Sequence, residues 1–192
     1  SDPKIVVLMN AALQRGVKVA MLYEVEGYAT PTQAEVEAEF AWLAANRFTH
    51  PAYLYVDDRP VIFVYTAQDK SNTLCAKYSA ATSGFTTAYI AMQTATDPSG
   101  ATPQPDAWFQ FTNERTATAP GSYSICPGFW RIDEANARTT RNLATWQSNI
   151  ASMVASGADW QLITTFNEWG EGSQVEPETT HGTDYLDALH NG

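Results

Sequence analysis

Between positions 163 and 177 the chain reads Ile-Thr-Thr-Phe-Asn-Glu-Trp-Gly-Glu-Gly-Ser-Gln-Val-Glu-Pro, so that a run suited to a β-strand passes directly into three carboxylates, Glu168, Glu171 and Glu176. Glu168 and Glu171 are three positions apart, and a tight turn can bring two such carboxyl groups to bear on one bond. Cleavage of a glycosidic linkage needs one carboxyl group to protonate the leaving oxygen and a second to attack or stabilise the developing cation, about 5 to 5.5 Å away in retaining chemistry. Gly170 and Gly172 would open backbone conformations closed to other residues, and Trp169 offers an apolar face for a sugar ring and for raising a neighbouring carboxyl pKa. Residue types alone leave a second role open, in which Asn167, Glu168 and Glu171 cap and solvate a strand-to-helix turn.

The elements that must position this segment alternate in type. Asp2-Pro3 is a helix-start signal, and Ile5, Val6, Leu8, Met9, Ala12 and Leu13 recur at helical spacing up to Gly16. A strand over 17–23 follows. Thr32 and Glu35 have capping-box spacing ahead of Val36, Phe40, Leu43 and Ala44, which predicts a helix to about residue 46. A turn at Asp57-Asp58 leads into Pro60-Val61-Ile62-Phe63-Val64-Tyr65, a nearly continuous apolar run of the kind buried on both faces of a parallel sheet. Further on, a weaker helix over 67–81, strands over 86–92 and 107–111, polar loops on either side of the latter, a strand over 123–127, a helix from Leu143 to its stop at Gly157, and a strand over 161–166 complete the order.

Strand–helix alternation predicts an α/β fold with a parallel sheet. Six strands fit a barrel, against the eight strands and about 250 residues of a complete (β/α)8 barrel. The expectation is therefore one domain over 1–192, a partial barrel whose first strands lie upstream of residue 1. The alternative is an open parallel α/β sheet, although no glycine-rich phosphate loop recommends it. In a barrel the C-terminal strand ends form the active face, which would put Asn167, Glu168, Trp169 and Glu171 at its mouth.

Composition narrows the function classes. With 21 acidic against 11 scattered basic residues and a formal charge of −10, the chain is unsuited to nucleic acid. No apolar run approaches the roughly 20 residues of a membrane span, so no membrane partner is expected. The three histidines have no metal-ligand spacing, and neither metal nor other cofactor is expected. Cys75 and Cys126 are too far apart for a metal knuckle and form either a disulfide or two buried thiols.

Other side chains fall near strand ends. Glu24 and, with less reason, Glu26 lie past the first strand and could bind sugar hydroxyls. Tyr65 ends the buried strand and could hydrogen-bond Glu168. Gln93 and Gln110 are balanced between substrate contact and structural hydrogen bonds, and Trp130, after Pro127-Gly128-Phe129, is a candidate stacking platform. Trp108, Trp146 and Trp160 belong to the core or the barrel rim, and Glu176 braces the loop.

The segment Phe166-Asn167-Glu168-Trp169-Gly170-Glu171-Gly172-Ser173-Gln174-Val175-Glu176-Pro177 resembles the C-terminal motif of glycoside hydrolase family 99 and its relatives. Gly16-Val17-Lys18-Val19-Ala20 with Glu24, the Arg59-Pro60 strand, Pro127-Gly128-Phe129 and Tyr185-Leu186-Asp187-Ala188-Leu189 resemble the family in the same order, so nearly the whole chain is covered. The resemblance implies a (β/α)8 barrel and retaining hydrolysis of an α-linked sugar. It also implies that Glu168 deprotonates the substrate's own 2-hydroxyl, which attacks the anomeric carbon, while Glu171 serves as acid and then base. Gly170 stands where the family's mannosidases carry histidine, which removes a potential substrate contact. A looser group of polysaccharide-locus proteins labelled glycosyltransferases shares the Asn-Glu-Trp-x-Glu-Gly core.

Two other function classes compete: a carbohydrate-binding or catalytically silent barrel protein, and a glycosyltransferase. A donor-using transferase usually builds a diphosphate site from a glycine-rich helix start or an Asp-x-Asp pair, and neither occurs in the chain.

Overall fold

The structure is a computed structural model that describes residues 3–24, 31–65, 72–82, 89–93, 98–111 and 116–191. Within it the chain forms two compact units, Ser1–Trp108 and Phe109–Gly192. Both are α/β in character, with parallel strand pairs.

The first unit opens with helix α1 (Pro3–Gln14) and strand β1 (Met21–Glu24). Helix α2 (Gln33–Leu43) follows, and a π-helical turn, Ala44–Phe48, extends it. Its start is fixed locally, as the sequence predicts: the Glu35 amide donates to Thr32 Oγ1 at 3.3 Å and the Glu35 carboxylate accepts from the Thr32 amide at 2.7 Å. Next come β2 (Tyr55–Val56), β3 (Arg59–Tyr65), helix α3 (Asn72–Ala81), β4 (Tyr89–Gln93) and β5 (Ala107–Phe109).

The strand order is β1-β3-β4-β5, with β1 parallel to β3 and β3 parallel to β4, while the short β2 lies antiparallel to β3. Met9, Val36, Phe40, Tyr78 and Ala81 from the three helices pack with Ile62, Val64 and Ile90, so one face of the sheet is the helix-covered face. The buried Tyr53 hydroxyl links two strands, donating to the Val61 carbonyl at 2.8 Å and accepting from the Met21 amide at 3.3 Å, and burial pushes its pKa up to about 12. On β1 the alternate residue Leu22 is 50 % exposed.

The second unit contains an antiparallel hairpin, β6 (Thr116–Ala119) with β7 (Ser122–Ile125), then helix α4 (Leu143–Ser156), β8 (Trp160–Ile163) and helix α5 (Asp184–His190). β8 pairs in parallel with β7. Asn142 caps α4 by accepting the Thr145 amide at 2.9 Å, and Gly157 ends it. The core is built from Ile125, Trp146, Ile150, Met153, Val175 and Tyr185, all buried, and Trp146 Nε1 donates to the Tyr185 carbonyl at 3.0 Å.

Besides shifted strand bounds, β1 starting at Met21 rather than at 17 and β5 ending at Phe109 rather than at 111, three details differ from the sequence expectations. The predicted apolar stripe of α1 buries only Met9 and Ala12, because a single edge of that helix meets the core, and Val6, Leu8 and Leu13 are exposed. The segment read as a polar loop before residue 123 contains β6, joined to β7 through Pro120-Gly121. The strand read as 161–166 ends at Ile163, for a reason that lies in the loop beyond it. Cys126 is a free buried thiol whose Sγ donates to the Gly128 carbonyl at 3.0 Å, and burial pushes its pKa up to about 11. The Cys75 side chain and Glu26 lie outside the described residues. No helix among the described residues is long and apolar enough to cross a membrane.

Candidate active site

The Thr164 amide still bonds the Ile125 carbonyl at 2.9 Å, but one residue later the chain turns to bond itself. The Thr165 amide donates to the Ser173 carbonyl at 2.9 Å, the Val175 amide to the Thr165 carbonyl at 3.1 Å, and the Glu176 amide to the Phe166 carbonyl at 2.8 Å. These bonds close residues 165–176 into a loop and end the strand. Thr165 Oγ1 then accepts the Glu168 amide at 2.9 Å and lies 3.1 Å from Ser173 Oγ, so the base of the loop caps the residue that begins the turn.

The turn itself is a 3₁₀ segment, Trp169–Glu171, flanked by Glu168 and by Gly172 with φ 58°. The Glu168 carbonyl accepts the Glu171 amide at 3.3 Å and the Ser173 amide at 3.4 Å. A second strip of backbone holds the other side: the Trp130 amide donates to the Glu171 carbonyl at 2.8 Å and the Ile132 amide to the Gly170 carbonyl at 3.0 Å. Glu168 is exposed and Glu171 is half-buried, so the two carboxyl groups sit in different surroundings.

Trp169 and Trp130 are 51 % and 47 % exposed, yet both indole N–H groups are satisfied, Trp169 by Glu176 Oε2 at 2.9 Å and Trp130 by the Glu134 carbonyl at 2.8 Å. Their rings thus keep a fixed edge and an open face, which suits stacking on an apolar sugar face. Glu176 braces the loop, as its position in the sequence suggests. Asn167 is exposed, and its carbonyl accepts the Trp169 amide at 3.0 Å.

Of the two glycines within the turn, Gly170 and Gly172, only Gly172 needs its freedom. Its φ lies in the left-handed region, and a Cβ there would stand 3.2 Å from the Trp130 carbonyl oxygen. Gly170 has no such φ, contrary to expectation, and a Cβ there would meet Glu168 Oε1 at an ordinary 3.8 Å. The absence of a side chain at 170 therefore leaves open space beside the Glu168 carboxylate. Gly172→Ala is expected to lower stability by about 1 to 2 kcal/mol through the left-handed conformation alone. Gly170→Ala should stay within about 0.5 kcal/mol of the parent, as surface changes without such a constraint do. Urea unfolding of both variants measures the contrast, and equal losses would show that the turn tolerates either residue.

The remaining sequence candidates divide between the units. Gln110 follows β5 in the second unit and is half-buried. Glu24 and Tyr65 lie in the first unit, where the parallel register sets them side by side at the C-terminal ends of β1 and β3. Gln93 ends the neighbouring β4, one residue past the Val64–Met92 pair, and its side chain lies outside the described residues.

Below the loop, Glu178 forms a compact acidic turn. Its carboxylate accepts the Thr180 amide at 2.5 Å and the His181 amide at 2.9 Å and also contacts the His181 ring. These hydrogen bonds, the Thr180 amide first, hold its pKa down from 4.5 to about 2. A carboxylate whose folded pKa is depressed contributes stability above its ordinary pKa and loses it as pH falls towards the folded value. Replacing Glu178 by glutamine should therefore flatten the fall in melting temperature between about pH 4.5 and 2. An unchanged pH profile would exclude the turn as its source.

Comparison with known proteins adds the fold. Two solved structures of a GH99 endo-alpha-mannosidase from Bacteroides thetaiotaomicron, one with Bis-Tris propane bound, match with TM-scores of 0.76 and 0.77 at 18 % identity. The matches cover 98 % and 99 % of this chain and 72 % and 68 % of theirs. A structure described as a glycoside hydrolase-like protein matches at TM-score 0.54 and 13 % identity, over 86 % of this chain and 62 % of its own. No protein-family model and no curated protein matches the sequence. At these identities the likeness establishes a GH99-like α/β fold.

Proposed function

We propose that this chain is the larger part of a (β/α)8-barrel glycoside hydrolase that cleaves an α-linked oligosaccharide or polysaccharide with retention. The observation that carries the proposal is the turn: Glu168 precedes and Glu171 ends one 3₁₀ segment in the loop that follows a parallel strand, and backbone bonds hold it from both sides. Rigid placement of two carboxylates around one bond is what such hydrolysis asks of a protein. In the proposed mechanism the exposed Glu168 takes the proton of the substrate 2-hydroxyl as that oxygen attacks the anomeric carbon. The half-buried Glu171 protonates the departing oxygen and then takes a proton from the water that attacks the anomeric carbon, as the bond to the 2-oxygen breaks and Glu168 returns its proton there. In the second unit Trp169 and Trp130 would carry sugar rings, and Asn167 and Gln110 would bond hydroxyls; Glu24, Tyr65 and Gln93 are proposed, separately, as sugar contacts of the first unit. No cofactor or metal is required by this chemistry.

One observation favours carbohydrate binding without turnover. Arg138 lies within electrostatic reach of Glu171, and a cation there favours the ionised carboxylate over the acid. Arg138, however, is already paired with Glu134, which is the first cause of its own raised pKa, and it is exposed. Most of its charge is thereby spent on Glu134 and on water, so the hydrolase is the stronger proposal. Assay of the protein on α-linked oligosaccharides, with Glu168→Gln and Glu171→Gln in parallel, tests it; unchanged turnover in both variants would remove it.

A further inference from the structure

Arg141 is bonded to the backbone that carries both carboxylates. Its Nη1 donates to the carbonyls of Gly172, at 3.2 Å, and Gln174, at 2.9 Å, on either side of the fully buried Ser173. The Ser173 amide in turn bonds the Glu168 carbonyl, and its hydroxyl meets the threonine that caps Glu168. The Arg141 guanidinium lies 4.0 Å from the centre of the Tyr185 ring, and Tyr185 belongs to the core of the second unit. Gly128 leaves room for the arginine stem, since a Cβ there would stand 2.5 Å from Arg141 Cγ. Arg141 Nε is buried and has no hydrogen-bond partner among the described residues. A buried donor left unsatisfied is costly, and the arrangement keeps that cost in exchange for one fixed orientation of the group.

We infer that Arg141 is the positioning residue of the Glu168–Glu171 turn, tying it to the Tyr185 core, an inference that rests on the hydrolase proposed above. The planar guanidinium stacks on Tyr185 while donating to two carbonyls, and an ammonium lacks the flat face for the first of these. Without the clamp, the Gly172 and Gln174 carbonyls lose their bonds to Arg141, and the turn that carries both carboxylates loosens. Misplacement of a reacting group by about 1 Å costs on the order of 10²-fold in rate.

The test compares Arg141→Lys and Arg141→Ala with the parent on an activated aryl α-glycoside, with and without low concentrations of guanidinium chloride, and follows amide hydrogen exchange without substrate. Expected are a kcat reduced about 10²-fold in Arg141→Ala with little change in KM, a smaller loss in Arg141→Lys, and partial recovery of Arg141→Ala by guanidinium. The amides of Glu171 and Ser173 should exchange faster in both variants while those within α4 keep their protection. Unchanged exchange at Glu171 and Ser173 overturns the inference, as does loss of protection spread evenly through α4, which would mark a general folding role. Because exchange is read without turnover, an inactive parent enzyme counts against the hydrolase and leaves the exchange result to judge Arg141. Should Arg141→Ala fail to fold, the lysine variant gives the same two readings.

Discussion

Glu171→Gln should lose turnover of α-linked oligosaccharides, whose leaving groups need a proton, by about 10²- to 10⁴-fold, the range of general acid catalysis. The same variant should retain much of the parent rate on activated aryl glycosides, because a stable phenolate departs without protonation. Glu168→Gln should damage both substrate classes, since its proposed role is on the attacking oxygen. In the structure Glu171 is half-buried and Glu168 is exposed. Substrates lacking a free 2-hydroxyl should fail to react; normal turnover of such 2-deoxy compounds would mean that a carboxylate attacks directly. Leaving-group dependence measured for parent and both variants separates these outcomes.

The second large effect is on stability. Trp146 is 1 % exposed, packs beside Tyr185 with ring centres 6.3 Å apart, and donates its N–H to the Tyr185 carbonyl. Trp146→Ala would remove the largest side chain of the second core, at a cost of about 3 to 5 kcal/mol. It would also remove the bond from Trp146 Nε1 to the Tyr185 carbonyl, adding roughly 1 kcal/mol. Trp146→Phe keeps most of the volume and loses the bond, so its loss should be smaller. Since whole domains are stable by only about 5 to 15 kcal/mol, the alanine variant should melt far below the parent. Urea unfolding curves give both values, and a loss below about 1 kcal/mol in Trp146→Ala would mean that the core closes over the gap.

The features legible in the sequence were those with local causes. The capping box at Thr32 and Glu35 is a contact within one turn, and it forms as spaced. The run 60–65 reads as a strand because β3 has neighbours on both edges and is buried along most of its length. The carboxylate pair was visible because its spacing survives any choice of loop path. What escaped was set by distant partners or by weak patterns. Thr-Ala-Thr-Ala carries little hydrophobic contrast, so β6 gave no periodic signal, although Pro120-Gly121 marked the turn. The end of β8 is decided by Thr165 bonding Ser173, eight residues away, and no local propensity encodes that. Arg141 reads as one more surface cation until the two carbonyls it bonds, more than thirty positions downstream, are seen beside it. The α1 stripe was periodic enough to predict the helix but could not say how much of it meets a core.

The loop of residues 165–176 and the strip 130–132 are joined through main-chain groups, whereas Trp130, Ile132, Phe166 and Trp169 direct much of their surface outward. Main-chain hydrogen bonds are indifferent to which side chain a position carries. Selection can therefore exchange those four residues, and with them the glycan preference of the proposed hydrolase, while Glu168 and Glu171 keep their spacing. In such a molecule, innovation in substrate taste and conservation of reactivity are inherited separately, and libraries randomised at 130, 132, 166 and 169 are the natural place to look for new preferences in a protein that still folds.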